Sequence, residues 1–210
     1  ADDLDWEPEA GGVRSAIELI HLIRTVEKRR CDYHPAEALR AAFAPLTIAV
    51  AAFAAGNPAA GTSPQQEAER LLLKQAAGAN FAITQLFWEA DTYLSFVERC
   101  RRLGVTIPIV PGILPPTELA RLRRVTELSG IEVPAHIVDT LSGAQDPESR
   151  HELGVGLAAS LADEVVKGGA PGVHLFTFNK ARPALDILSR LGHGPTPFPE
   201  SGRLGASVTE

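Results

Sequence analysis

Four stretches of strand length, 46–53, 80–87, 105–110 and 173–178, are apolar on both alternate faces, and helix-like segments separate them. A strand apolar on one face can sit at the surface of an antiparallel sheet. A strand apolar on both faces must be covered on both, and this marks a parallel sheet in a βα-repeat. The four runs therefore predict an α/β chain of about four βα units. An open doubly wound sheet would carry a glycine-rich phosphate loop after its first strand. The segment Phe53-Ala54-Ala55-Gly56-Asn57-Pro58-Ala59 is not one. The remaining solution is the (βα)8 TIM-barrel type, which takes about 250 residues. At 210 residues, this chain is expected to supply about the last four βα units of an incomplete barrel, with the first strands preceding Ala1. Half a barrel leaves two strand edges that something must cover.

Local signals place the helices. Gly11-Gly12 precedes a stripe of Val13, Ile17, Ile20 and Ile23, with Leu22 flanking it. The charged, then alanine-rich stretch from Glu27 to Pro45 reads as a connector with a short helix, broken at His34-Pro35. Ser63-Pro64-Gln65-Gln66 has the N-cap serine, first-turn proline and N3 glutamine of a capping box, and Gly78 stops that helix after Ala77. Asp91 is expected to cap a helix ending before Gly104. Further helices are expected over 117–128, 134–141, from a cap at Asp146 to Lys167, and over 183–191. The domain is expected to span 1–192, with a Pro/Gly/Ser-rich disordered tail over 193–210.

Composition narrows the function classes. A net charge of −6 disfavours a nucleic-acid-binding surface, and the basic runs at Lys28–Arg30 and Arg121–Arg124 sit among acids on solvated helix faces. No apolar run reaches membrane-spanning length. Cys31 and Cys100 lack metal or redox spacing and fit a reducing, cytoplasmic setting. The acidic start Ala1-Asp2-Asp3-Leu4-Asp5, in a chain without methionine, reads like a segment cut from a longer protein.

Chemistry in such a fold gathers at the strand exits. Gln85 ends its apolar run with an amide, a group that costs free energy if buried without a partner. The mouth is expected to be lined by 53–57, 85–88, 111–119 and 176–180, with Lys180 as its only cation. It holds no Ser-His-Asp order, no HExxH and no zinc-spaced cluster, and suits a flat aromatic ligand. Glu67 and Lys74, seven residues apart, share one helix face about 10 Å apart along the axis. They are either solvated charges or anchors for one long, dinucleotide-sized ligand. Of the histidines, His21, His34, His136, His151 and His193 read as surface or packing residues. His174 begins the last strand, at the wrong end for a mouth.

Taken together, Gly78-Ala79-Asn80-Phe81-Ala82-Ile83-Thr84-Gln85-Leu86-Phe87, Pro108-Ile109-Val110-Pro111-Gly112-Ile113-Leu114-Pro115 and His174-Leu175-Phe176-Thr177-Phe178-Asn179 resemble the methylenetetrahydrofolate reductase family in order and spacing, from about Asp5 to Gly192. The resemblance implies a flavin-containing (βα)8 barrel that reduces 5,10-methylenetetrahydrofolate to 5-methyltetrahydrofolate in one-carbon and methionine metabolism. NADH or NADPH would reduce FAD first. It makes Gln85 the amide that meets the pterin and nicotinamide in turn, with Leu119, Phe176 and Lys180 at the substrate. On the cofactor side it implies Phe53, Asn57, Glu67 and Lys74.

Three departures accompany it. The family's Tyr-Pro-Glu-x-His-Pro-Glu-like loop reads Phe53 to Ala59 here, so its histidine is Asn57 and two acids are absent. Leu119 stands where an aromatic residue is usual. The catalytic glutamate and flavin-facing aspartate are expected upstream of Ala1, leaving no catalytic residue within the chain. The alternative is a non-catalytic or split half-barrel that associates through its open edges, as a homo-oligomer or with a missing N-terminal half.

Overall fold

A computed structural model of the chain describes residues 9–33 and 45–192. The acidic loop around Trp6, the break at His34-Pro35, His193 and the tail over 193–210 lie outside the described residues. Helix α1 (Ala16–Tyr33) leads into a four-stranded sheet of β1 (Ala49–Ala52), β2 (Phe81–Leu86), β3 (Ile109–Ile113) and β4 (His174–Leu175), in that spatial order and parallel throughout. A 3-10 turn (Pro58–Ala60) and α2 (Pro64–Ala76) join β1 to β2, and α3 (Ala90–Arg102) joins β2 to β3. Helices α4 (Leu119–Ser129), α5 (Ala135–Ser142) and α6 (Pro147–Lys167) precede β4, and α7 (Ala181–Arg190) follows it.

Spatial order equals chain order, which separates this sheet from a doubly wound one. Right-handed crossovers that each advance one strand the same way put all the helices on one face. Burial agrees. Val50, Ala52, Ala82, Ile109 and Ile113 are buried in one core with Ile20, Leu71, Phe96, Val155 and Ile187 from the helices. Their alternates are uncovered: Ala49 and Ala51 are exposed, and Phe81, Ile83, Gln85 and Val110 are half-buried. Coverage on both faces, expected from the apolar runs, thus holds for the helix face alone among the described residues. A parallel sheet backed on one side by helices is consistent with part of a (βα) barrel.

The capping box forms as its four residues predict. Ser63 Oγ accepts from the Gln66 N–H at 3.3 Å, and Gln66 Oε1 accepts from the Ser63 N–H at 2.9 Å. Asp146 caps α6 through the Ser149 N–H at 2.8 Å. Asp91 does not cap α3. It lies in the first turn, and Glu89 holds the cap position without a side-chain bond.

Other boundaries move for reasons distant in sequence. The first part of the connector expected over 27–45, through Tyr33, is instead the end of α1, and residues 34–44 lie outside the described residues. Glu27 is buried because its carboxylate accepts from Arg24 at 2.8 Å and from the Leu46 N–H at 2.5 Å. Arg24 also donates to the carbonyls of Leu46 and Gly78 and to Asn80 Oδ1. One guanidinium so ties α1 to the entrances of β1 and β2.

Strand β3 begins at Ile109 rather than Val105. Gln75 Oε1 takes the N–H groups of Thr106 and Ile107 at 2.7 and 3.0 Å, and Arg101 takes the carbonyls of Val105 and Ile107. With those groups claimed and Pro108 lacking an N–H, the ladder starts after them. Strand β4 is two residues long rather than six, because Phe178 and Asn179 take positive φ of 46° and 61° and turn the chain away. Buried His151 pairs with Asp186 at 2.7 Å across α6 and α7, so it is a packing residue as expected. Among the described residues, no helix is long and apolar enough to cross a membrane, and no group of three or more His, Cys, Asp or Glu could hold a metal ion.

Candidate active site at the strand exits

Gln85 sits on the uncovered face of β2, inside an irregularity of the sheet. Ile83 pairs with Val110 and Leu86 with Gly112, so β2 spends one more residue than β3 over the same span. Such a bulge re-aims the side chains within it. Thr84 Oγ1 accepts the Gly112 N–H at 2.9 Å, while Gln85 Oε1 accepts the Leu86 N–H at 3.0 Å. The bulge therefore fixes the carbonyl end of the Gln85 amide, and its NH2 end carries the donors a ligand can use.

Gly112 is needed opposite this bulge. A Cβ there would lie 2.2 Å from the Thr84 carbonyl oxygen and 2.7 Å from the Phe176 ring. Phe176 thus lies over the backbone of β3 and meets His174 edge-on at 4.9 Å. With Leu119 it also packs against the smaller core of Leu86, Trp88, Leu114, Leu122, Val125, Ile131, Ile137 and Leu141. Trp88 and Phe87 correct the expected mouth. Phe87 is buried against Tyr93 at 5.6 Å, and Trp88 belongs to the smaller core. Gln85 remains as the β2-exit residue on the uncovered face.

The second group lies beyond β1. Glu67 is 2% exposed, which settles it as no solvated charge. Its Oε1 accepts from Thr62 Oγ1 at 2.5 Å and from Arg70 at 3.0 Å. Thr62 in turn exchanges backbone bonds with Asn57 at 2.9 and 3.1 Å. Asn57 Oδ1 accepts from the Ala60 N–H at 3.3 Å and caps the 3-10 turn. Half-buried Phe53 leads into this loop, and Glu67 holds it from below through Thr62. Lys74 points to the sheet instead, donating to the Ala51 carbonyl at 2.7 Å. Burial pulls its pKa below the ordinary lysine value, and the Glu67 charge partly offsets this.

The third group joins α4 to the turn after β4. Lys180 donates to Glu118 Oε1 at 2.5 Å, and Arg121 reaches the same carboxylate at 3.1 and 3.2 Å. The bond from Lys180 holds the Glu118 carboxyl below its ordinary range, against partial burial and with help from Arg121. Arg121 also lies 5.6 Å from the centroid of the exposed Phe178 ring.

Glu118 and Phe178 fall inside the mouth expected from the sequence but without a role of their own. Arg121 belongs to a run expected to be solvated, yet its side chain is only 18% exposed, and Arg70 was not singled out. For Arg70 the signal was its i,i+3 spacing from Glu67. For Phe178 it was the following Asn179, a residue tolerant of the left-handed region. Nothing local links Glu118 to Lys180, 62 residues away.

A family model described as "Methylenetetrahydrofolate reductase" matches residues 1–192. The chain is 36% identical over 165 residues to a Caenorhabditis elegans protein named "Probable methylenetetrahydrofolate reductase (NADPH)", covering 75% of this chain and 24% of that one. It is 33% identical over 192 residues to the Oryza sativa subsp. japonica "Probable methylenetetrahydrofolate reductase (NADH)", covering 87% and 30%. With the Escherichia coli (strain K12) "5,10-methylenetetrahydrofolate reductase" it shares 32% over 149 residues, covering 70% and 50%. The chain thus spans between a quarter and a half of the length of these relatives.

Proposed function

The chain belongs to the methylenetetrahydrofolate reductase family, and on that premise we propose that it forms the later half of a (βα)8 barrel, over 1–192, that reduces 5,10-methylenetetrahydrofolate to 5-methyltetrahydrofolate. FAD is the proposed cofactor and NADH or NADPH the reductant. The observation that carries this reading is Gln85, a half-buried amide held at a bulge on the uncovered sheet face.

The residues present fit a flavin. Toward the exit of β1, exposed Ala51 lies beside Ile83, and Gln85 follows two residues on, so the small side chain there leaves room for a planar ring. When bound, FAD supplies the hydride chemistry. Gln85 orients the polar edges of nicotinamide and pterin through its NH2 donors. Lys74 uses one N–H on Ala51 and keeps two for anionic oxygens of the cofactor. Glu67 acts through Thr62, holding the Phe53–Asn57 loop in place. Phe176 and Leu119 give the folate an apolar wall, and Lys180 a cation. The acid that helps open the methylene bridge is assigned to the part of the relatives this chain does not match.

A purified protein carrying this chain within a full-length barrel is expected to be yellow, to bleach under NADH or NADPH, and to recover colour with the folate substrate. A colourless preparation after FAD addition overturns the reading.

One observation favours a second reading, a non-catalytic half-barrel completed by another chain. Leu19, Leu22 and Val26 form an exposed apolar stripe on α1, and one edge of β1 has no strand partner among the described residues. Light scattering after gel filtration decides: a monomer of 22.4 kDa across a hundredfold concentration range rules it out.

A further inference from the structure

The turn after β4 carries a residue that its backbone does not favour. The Lys180 N–H donates to the Thr177 carbonyl at 2.9 Å and closes a turn with Phe178 and Asn179 at its centre. Both central residues take positive φ, 46° and 61°. Glycine, asparagine and aspartate dominate such positions, because a Cβ in the left-handed region comes too close to the following carbonyl oxygen. Asn179 conforms and Phe178 does not. Phe178 is also 56% exposed, so packing of its ring into a core does not offset the strain. Strain of this kind gathers where a side chain must be presented to a ligand.

The surroundings of the ring define the ligand's chemistry. The Arg121 guanidinium lies over it, 5.6 Å from the centroid. Arg121 and Lys180 both donate to the Glu118 carboxylate, so two cations share one anion and the cluster keeps a net positive charge. The Lys180 and Glu118 side chains are 50% and 44% exposed, and a solvated pair of this kind is weak enough for an incoming carboxylate to displace. The cluster stands at the exit end of the sheet, since Phe178 and Lys180 follow β4 and Glu118 follows β3. An exposed aromatic ring beside an accessible ammonium recognises a planar ring that carries carboxylates.

We propose that Phe178, Arg121 and Lys180 form a subsite for a benzoyl ring bearing carboxylates, which in the proposed substrate is the p-aminobenzoylglutamate end of the folate. The ring stacks on Phe178, and a carboxylate draws Lys180 from Glu118 while Arg121 stays with that anion. The strained turn is what holds the Phe178 ring out at the mouth. The inference rests on the folate reading above, but its test needs neither flavin nor pterin.

Calorimetry on the full chain compares p-aminobenzoyl-L-glutamate with 4-aminobenzamide, which lacks the carboxylates, and N-acetyl-L-glutamate, which lacks the ring. The first is expected to bind with a Kd of about 1 mM or tighter, and the other two about tenfold more weakly. Phe178→Leu should weaken p-aminobenzoyl-L-glutamate about fivefold, whereas Phe178→Tyr should match the parent, a split set by the ring and not by apolar bulk. Phe178→Asn suits the turn, so it should bind as weakly as Phe178→Leu while its melting temperature holds or rises by about 2–4 °C. Equal binding by Phe178→Leu and the parent overturns the proposal, as does no saturable binding at about 10 mM probe. A lower melting temperature in Phe178→Asn marks a packing residue and overturns it too. These failures leave the folate reading standing, because that reading is tested separately by recovery of flavin colour. Conversely, binding as expected in a protein whose colour does not recover with folate keeps the subsite and removes the reading.

Discussion

The ammonium of Lys74 donates to the carbonyl oxygen of Ala51 at 2.7 Å, and that carbonyl belongs to the open side of β1. The Ile48 carbonyl accepts from Asn80 on the β2 side, so by alternation the carbonyls of Ala49 and Ala51 face the other edge. This ammonium satisfies an acceptor that no described strand pairs. In the chain alone, Lys74→Met is expected to cost about 1 kcal/mol in urea unfolding. Lys74→Arg should recover most of this; unchanged stability in Lys74→Met would show that the bond to Ala51 contributes nothing.

Gly112→Ala places a methyl group against the Thr84 carbonyl and the Phe176 ring. A destabilisation of about 1–3 kcal/mol is expected. Adding Phe176→Ala should relieve only part of it, because the Thr84 carbonyl is backbone and cannot swing away. Complete rescue in the double variant, measured by thermal unfolding, would put the strain on the ring alone.

Tyr93 donates its hydroxyl to the Ile109 carbonyl at 2.7 Å, and burial pushes its pKa up from 10.0 to about 12. The folded state therefore holds this proton more tightly than the unfolded one. The stability it contributes is complete below the unfolded value near 10 and is lost as pH rises through about 12. Tyr93→Phe should cost about 1 kcal/mol at neutral pH and flatten the alkaline fall in stability between those values. An equally steep alkaline fall in the variant would assign it to other groups.

The bond from Arg24, with that from the Leu46 N–H, holds the Glu27 carboxyl below its ordinary value. Its contribution is present above the unfolded carboxylate pKa and disappears as pH falls through the lower folded one. Glu27→Gln is thus expected to be less stable than the parent at pH 7, with the gap closing in acid. A gap that stays constant from neutral to acid pH counts against ionised Glu27 as the cause.

Glu118 and the folate compete for Lys180 under the proposed function. Exposed ion pairs are worth about 0.2–1 kcal/mol, so Glu118→Gln in the flavin-loaded full-length protein should tighten folate binding up to about fivefold. NAD(P)H oxidation without folate should not change. Weaker folate binding in the variant would make Glu118 an ally of the substrate instead.

Features set within four residues could be read in advance. The Ser63–Gln66 capping box and the Asp146–Pro147 start of α6 depend on neighbours and formed as written. Gln85 also stood out, because an amide at the end of an apolar run is anomalous by residue type alone. The start of β3 could not be read, since Gln75 and Arg101 claim its backbone groups from other elements. The partners of Lys74 and Lys180 were hidden too. Lys74 bonds a carbonyl 23 residues back, and Lys180 a carboxylate 62 residues back.

The sequence by itself determined the alternation of four strands with helices, the caps at Ser63 and Asp146 and the family, because periodicity and short motifs are local or collinear properties. Only the tertiary structure decided what the marked residues do. The extra β2 residue at Gln85 exists relative to β3, so a bulge cannot be seen in one strand. Burial of Glu67 beneath Thr62 likewise depends on a loop folding back onto α2. Pairing and burial are relations between distant segments, and they arise only when the chain closes.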